Sequence, residues 1–200
     1  MAARFTRAEL HTFHGRLVDD LVAPRPRIVF VGINPGLWTA AVNAHFARRG
    51  NRFWPALHVA GITPTLIDAS DGMRPDDLAM LARLGIGITN IVPTASARAD
   101  ELTRAELLAG GAALEAKIAA LRPRPKVVAV LGLTAYRQAF ARPKAQQGRQ
   151  PDTLAGVPLW VLPNPSGLNA HDTVATLAAA YREAWDAAAP TGRGPRANAR

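Results

Sequence analysis

The sequence predicts an α/β domain of three layers, with helices on both sides of a short, mainly parallel sheet. Four short runs are almost continuously apolar, which is typical of strands buried on both faces. Helical patterns separate these runs, and strands that alternate with helices form parallel sheets. A chain of 200 residues is also long enough to bury one substantial core, so a single main domain is expected.

Each element has its own signal. The predicted strands are 27–33, 86–92, 126–132 and 158–163. The predicted helices are 51–60, 75–84, 103–121, 133–141 and 172–188. Thr103 and Glu106 have capping-box spacing, and Pro123 stops that helix. Asp172 is of the N-cap type for the last helix, whose Tyr181 we expect in the core.

Three regions are expected along the chain. Residues 1–24 read as an amphipathic helical extension that ends at a Pro-Arg-Pro break, and residues 25–189 form the main domain. Residues 190–200 contain no large apolar side chain, which predicts a disordered basic tail.

Composition excludes several classes of protein. No apolar run approaches the roughly 18 residues of a membrane helix, so no membrane association is expected. The beginning of the chain lacks the pattern of a secretory signal, which predicts a cytoplasmic protein. The absence of cysteine excludes disulfides, thiolate metal sites and a cysteine nucleophile. The five histidines are scattered, so neither a metal nor another cofactor is expected.

The charge balance is basic, with 24 Lys and Arg against 15 Asp and Glu. No acid occurs between Glu115 and Asp152, an interval that holds eight Lys and Arg residues: Lys117, Arg122, Arg124, Lys126, Arg137, Arg142, Lys144 and Arg149. Such a stretch is typical of a surface that meets phosphates, and equally of an ordinary solvated face.

Ligands of open α/β sheets bind beyond the carboxyl ends of the strands, and here those segments are polar. The first predicted strand continues into Asn34-Pro35-Gly36, and the last into Asn164-Pro165-Ser166. An asparagine before proline is held in extended geometry, so its amide could orient a water or read a base edge. The alternative is that both tripeptides only make turns. The motifs of phosphate loops, nucleophile elbows and dinucleotide-binding folds are absent.

Three motifs then stand out in order: GINPG at 32–36, NRFW at 51–54 and LPNPSGL at 162–168. Together they resemble the mismatch-specific uracil-DNA glycosylases, relatives of thymine-DNA glycosylase, and the likeness runs from about Arg27 to Trp185. The resemblance implies a uracil-DNA glycosylase-like fold and a DNA glycosylase of base excision repair. No lysine stands in the motifs to form a Schiff base, so a monofunctional enzyme is expected, and a monomer is expected for a protein that slides on DNA. Its substrate would be uracil, with thymine or etheno-cytosine as further candidates, in double-stranded DNA with G·U or G·T mismatches.

The resemblance also implies roles for single residues. Asn34 matches the residue that positions the hydrolytic water, and Phe46 the aromatic that stacks on the extruded base. Leu168 matches the wedge that enters the base stack. The other residues implied in substrate binding are Gly32, Ile33, Pro35, Gly36, Asn90 and Asn164. Those implied in DNA binding beside the wedge are Ser166, Gly167 and Asn169.

The chemistry of Asn34 adds a second catalytic candidate. An amide cannot accept a proton usefully, so the base must begin to depart before water attacks. Asp100 follows the exit of the second strand and could activate the water or stabilise a cationic sugar. The alternative is a solvated acid ahead of the Thr103 cap.

The sequence also departs from the family pattern. Asn169 and Ala170 stand where the family often has Ser and Arg, which puts mismatch selectivity in doubt. A non-catalytic DNA-binding module on the same fold is therefore the main alternative function, and a nucleoside or nucleotide hydrolase is a third.

Overall fold

The computed structural model describes residues 5–189, which form a sheet flanked by helices. The strands are β1 Ile28–Gly32, β2 Ile86–Asn90, β3 Val127–Leu131, β4 Gly148–Leu154 and β5 Val157–Leu162. The helices are α1 Arg7–His11, α2 Leu37–Val42, α3 Phe53–Val59, α4 Pro75–Leu84, α5 Arg104–Ala120, α6 Leu133–Ala139 and α7 Val174–Ala187, with a 3₁₀ turn at Ala99–Glu101.

The sheet has the strand order β2-β1-β3-β5-β4. Neighbours among β2, β1, β3 and β5 pair in parallel, and only β4 runs antiparallel, beside β5. Phe30 faces a core shared with α3, α4 and α7, whereas Val31 faces a core shared with α5 and α6. The predicted three-layer α/β fold is confirmed, and the carboxyl ends of four strands meet at one edge.

Two elements escaped prediction. The sequence of β4 is mostly polar, because this edge strand buries only Gln150 and Leu154 and its other residues are exposed or half-buried. α2 is six residues long, too short for a periodic pattern.

The N-cap of α7 is Thr173 and not Asp172, because the Thr173 hydroxyl accepts the Thr176 N–H at 3.2 Å.

The first residues fold differently from the single helix expected over 1–24. Within the described part, the helix covers only Arg7–His11, and Gly15 follows with a φ of +75°. The next residues form antiparallel bridges, Leu17 with Thr94 and Leu21 with Ile88. This segment therefore covers the outer edge of β2, which would otherwise offer unpaired backbone groups. The predicted tail at 190–200 lies outside the described residues.

Helix α5 lies very close to its neighbours. The capping box predicted at its start is present, with the Glu106 carboxylate accepting the Thr103 N–H at 2.8 Å. A Cβ on Gly110 would lie 2.5 Å from the Ile91 carbonyl oxygen, so only glycine fits where α5 crosses the exit of β2.

No helix within residues 5–189 is long and apolar enough to cross a bilayer.

Candidate functional site

A pocket of about 160 Å³ opens at the edge where the parallel strands end. Its walls come from the exits of β1, β2, β3 and β5 and from the segment between α2 and α3. The structure brings all the predicted substrate-binding residues to this wall, together with Asn34: Gly32, Ile33, Pro35, Gly36, Phe46, Asn90 and Asn164. Ser166 and Leu168 also line it.

Asn34 is anchored by one end of its carboxamide. The Nδ2 group donates to the Ser96 hydroxyl at 2.8 Å, and more weakly to the backbone oxygens of Thr94 and Pro35. Ser96 is itself buried, and its hydroxyl donates to the Arg98 carbonyl at 2.7 Å. None of the hydrogen bonds that Asn34 makes within residues 5–189 uses Oδ1. The side chain is therefore fixed with an acceptor oxygen available at the pocket.

Phe46 is held in an unusual backbone conformation. Its φ is +55°, in the left-handed region that a bulky residue rarely adopts. The ring stacks on Phe53 with centroids 4.0 Å apart, and a Cβ on Gly32 would lie 3.5 Å from its tip. Phe46 thus has one face on the core and lies at the pocket, an arrangement suited to stacking on a planar ring.

Gly32 and Asn90 lie at the floor of the pocket. The Asn90 side chain is buried, yet it has no hydrogen-bond partner among residues 5–189. A Cβ on Gly32 would lie 2.5 Å from Asn90 Oδ1, so glycine at this position makes room for the amide. The Asn90 amide therefore keeps its hydrogen-bonding capacity for a ligand in the pocket.

Asn164 is the second residue of the β5–α7 loop, residues 163–172. Its Oδ1 accepts the Ser166 N–H at 3.0 Å, while its Nδ2 has no partner among the described residues. Asn169 braces the loop from within, because its Nδ2 donates to the Asn164 carbonyl and the Asp172 carboxylate. Leu168 lies at the tip with 74% of its surface exposed.

Arg52, which sequence reasoning did not single out, ties this loop to the domain. Its guanidinium donates to the carbonyls of Ser166, Asn169 and Asp172, the bond to Asn169 being 2.7 Å long. Its backbone N–H also donates to the Pro165 carbonyl at 2.9 Å. The exposed leucine is therefore carried by a loop with fixed geometry. NRFW drew attention to this position, but nothing local in the sequence shows that the side chain reaches the distant loop.

Asp100 is not brought to the pocket wall. It is exposed in the 3₁₀ turn, and the guanidinium of Arg98 holds both of its carboxylate oxygens. Arg98 and Ala99 line the pocket, whereas Asp100 is not among the residues of its wall. The predicted catalytic role of Asp100 has no support in this geometry.

His45 is a buried residue of the pocket wall that the sequence did not reveal. Its Nε2 lies 2.9 Å from the Asp19 carbonyl, which can only accept, so this nitrogen carries the hydrogen. Burial lowers the pKa of the imidazole, which favours the neutral ring.

No group of three or more potential metal-ligating side chains occurs in residues 5–189.

Two of the eight basic side chains of the acid-free interval pair with a carboxylate within residues 5–189: Arg142 with Asp152, and Lys117, whose Nζ lies 2.6 Å from Asp20 and 2.9 Å from the Thr89 hydroxyl. The arginines bound to carbonyls or a carboxylate are Arg122, Arg124, Arg137 and Arg142. None of these side chains lines the pocket.

Comparison with known proteins places the chain in a family. The model of the uracil DNA glycosylase superfamily matches residues 20–189. The fold is also similar to the solution NMR structure of a Methanosarcina acetivorans protein, itself only proposed to be a uracil DNA glycosylase. That likeness has a TM-score of 0.55 and 16% sequence identity, and covers 84% of this chain and 97% of the other.

Proposed function

The chain belongs to the uracil DNA glycosylase superfamily, and from this premise we propose that it is a monofunctional DNA glycosylase that removes uracil from mismatched double-stranded DNA. The observation that carries the proposal is the anchored Asn34, a residue of the pocket wall whose Oδ1 makes no hydrogen bond within residues 5–189, beside an aromatic ring and the amides of Asn90 and Asn164. Thymine and etheno-cytosine are further candidate bases.

The pocket suits one extruded base. Its volume is about 160 Å³, well below the roughly 300–1,000 Å³ of sites for drug-sized ligands. Phe46 would stack on the pyrimidine ring, and the amides of Asn90 and Asn164 would bond its polar edge. These amides can both donate and accept, so their orientation decides which base is accepted.

The chemistry follows from the amide at position 34. Asn34 Oδ1 would accept a hydrogen bond from water and aim it at C1′ of the deoxyribose. The bond between C1′ and the base nitrogen breaks first and its electron pair leaves with the base, because the amide of Asn34 cannot take up a proton from the water. Water then adds to the cationic C1′ and releases its proton to solvent or to the departing base. The products are free uracil and an abasic site.

Backbone donors would assist the departure. The N–H groups of Asn34 and Gly36 have no hydrogen-bond acceptor within residues 5–189, and both residues line the pocket. Donors fixed near a developing negative charge stabilise it without reorganising. No lysine occurs among the residues of the pocket wall, so a Schiff base with the sugar is not part of the proposed mechanism.

The β5–α7 loop would supply the wedge. Extruding a nucleotide costs a few kcal/mol, and less when the base is mispaired. An apolar side chain that fills the vacated space opposes the return of the base. Leu168 is the most exposed large apolar residue of the described chain, and its loop is held by Arg52.

The test is identification of the products. The protein is incubated with a G·U duplex, the matched G·C duplex and free deoxyuridine, and uracil release and alkali-labile sites are both measured. We expect uracil and an abasic site from G·U only. Binding of the duplex without uracil release would favour a non-catalytic DNA-binding module, and release from deoxyuridine alone would favour a nucleoside hydrolase.

A further inference from the structure

The β5–α7 loop carries no positive charge of its own. Residues 163–172 contain neither lysine nor arginine, and Ala170 stands where an arginine is frequent in the resembling family. Duplex binding nevertheless depends mainly on cations that neutralise phosphates. If the loop enters the base stack, cationic side chains from an adjacent segment must bind the phosphates beside the extruded nucleotide.

The adjacent segment is residues 48–52. A Cβ on Gly167 would lie only 2.7 Å from the Gly50 carbonyl oxygen, so the two backbones are in direct contact. Arg52 turns inward to the β5–α7 loop. Arg48 and Arg49 are exposed, and neither guanidinium makes a hydrogen bond or ion pair with the residues that the structure describes. Arg48 also lines the mouth of the pocket.

The other candidates for this contact are engaged or lie elsewhere. Arg98, also on the rim, is paired with Asp100. The acid that faces Arg49 is Asp68, whose carboxylate accepts the Ser70 N–H at 2.9 Å and forms no ion pair with Arg49 within residues 5–189. Arg48 and Arg49 therefore have side chains without a hydrogen bond or ion pair within residues 5–189, and they lie in the segment that contacts the β5–α7 loop.

We propose that Arg48 and Arg49 bind the phosphates of duplex DNA that flank the extruded nucleotide. The inference rests on the proposed function and adds to it a surface that the sequence motifs do not contain. The contact between Gly50 and Gly167 fixes these arginines relative to Leu168, so the cations and the wedge would engage the same stretch of DNA.

The experiment measures binding as a function of salt. The double variant Arg48→Ala/Arg49→Ala is compared with wild type and with Arg83→Ala/Lys126→Ala. The control removes the same charge from two exposed residues whose side chains make no hydrogen bond or ion pair within residues 5–189. Each lies just ahead of a strand and therefore at the opposite edge of the sheet. The probe is a duplex with a tetrahydrofuran abasic-site analogue opposite guanine, from about 50 mM to 1 M salt.

The expected result is a change in the salt dependence. Since each phosphate contact contributes a slope of about −0.9 to log K against log salt, losing two should flatten the slope by about 2. The affinity of Arg48→Ala/Arg49→Ala should fall about tenfold or more at 0.1 M salt and approach wild type near 1 M. The control variant should keep the wild-type slope.

The outcomes separate this inference from the proposed function. If wild type cleaves a G·U duplex but Arg48→Ala/Arg49→Ala keeps its slope, the phosphate contact is refuted and the glycosylase proposal stands. Equal flattening in both double variants would show that only net charge matters, which also refutes it. Failure of wild type to bind any duplex would overturn both.

Discussion

The exits of β1 and β5 each contain an Asn-Pro dipeptide, yet the two amides leave opposite atoms without a hydrogen bond among residues 5–189. Asn34 uses its Nδ2 on Ser96 and Thr94, so its free atom is the acceptor Oδ1. Asn164 uses its Oδ1 on the Ser166 N–H, so its free atom is the donor Nδ2. The neighbours of each asparagine amide therefore decide whether an acceptor or a donor atom is left for a ligand.

The two exits also differ in what holds them. The β1 exit is fixed by the loop after β2, whose Ser96 N–H donates to the Pro35 carbonyl at 3.1 Å. The β5 exit is tied to the rest of the domain chiefly by Arg52, whose guanidinium bonds three of its carbonyls. The first arrangement suits the orientation of a water, and the second suits a loop that must keep its shape while it enters DNA. Substitutions in the β1 exit and in the β5 exit test this difference in role.

The largest effect is expected at the acceptor of the β1 exit. Asn34→Ala removes the oxygen that would orient the water, and we expect single-turnover cleavage of a G·U duplex to fall by about 10²–10³. Duplex affinity should stay within about threefold, because no phosphate contact is lost. Cleavage that persists near the wild-type rate would remove Asn34 from its assigned role.

The next effect is expected at the tip of the β5–α7 loop. Leu168→Ala should slow cleavage of a G·U duplex about tenfold to a hundredfold, because only the duplex needs a wedge against the few kcal/mol of unstacking. Cleavage of single-stranded uracil DNA should change little. Leu108→Ala, at an exposed leucine of α5, is the matched control. Equal slowing on both substrates would contradict intercalation.

A smaller effect is expected where the loop is held. Arg52→Lys keeps the charge, but an ammonium cannot bond the carbonyls of Ser166, Asn169 and Asp172 together as the planar guanidinium does. We expect duplex cleavage to fall about fivefold to tenfold through the misplaced wedge, with single-strand cleavage nearly unchanged. A merely structural role would lower both rates together, so the ratio of the two rates is the measurement.

No effect is expected at Asp100, the acid in the 3₁₀ turn that follows the β2 exit. Asp100→Asn removes a carboxylate that is exposed and bound to Arg98, so cleavage of the G·U duplex should stay within about twofold across the pH range of activity. A tenfold loss would show that Asp100 moves into the site when DNA binds, and would restore the catalytic role predicted from the sequence.

The sequence predicted the strands and turns that form the site better than the long-range hydrogen bonds that hold them in place. Continuous apolar runs located the parallel strands, and the Asn-Pro turns at their ends located the pocket, because both signals are local. Ser96 lies 62 residues beyond Asn34, and the carbonyls bound by Arg52 lie 114 to 120 residues further on. Such contacts depend on how distant loops meet and leave no periodic pattern. β4 was missed because only one of its faces is buried.

The most direct test of the account is single-turnover cleavage of labelled DNA with uracil opposite guanine, uracil opposite adenine, thymine opposite guanine, and uracil in a single strand. We expect cleavage of G·U, at a higher rate than of A·U, because a mispaired base is easier to extrude into the pocket. Cleavage of single-stranded uracil faster than G·U would contradict the role of the β5–α7 loop. No cleavage of any substrate, with duplex binding retained, would contradict the glycosylase itself.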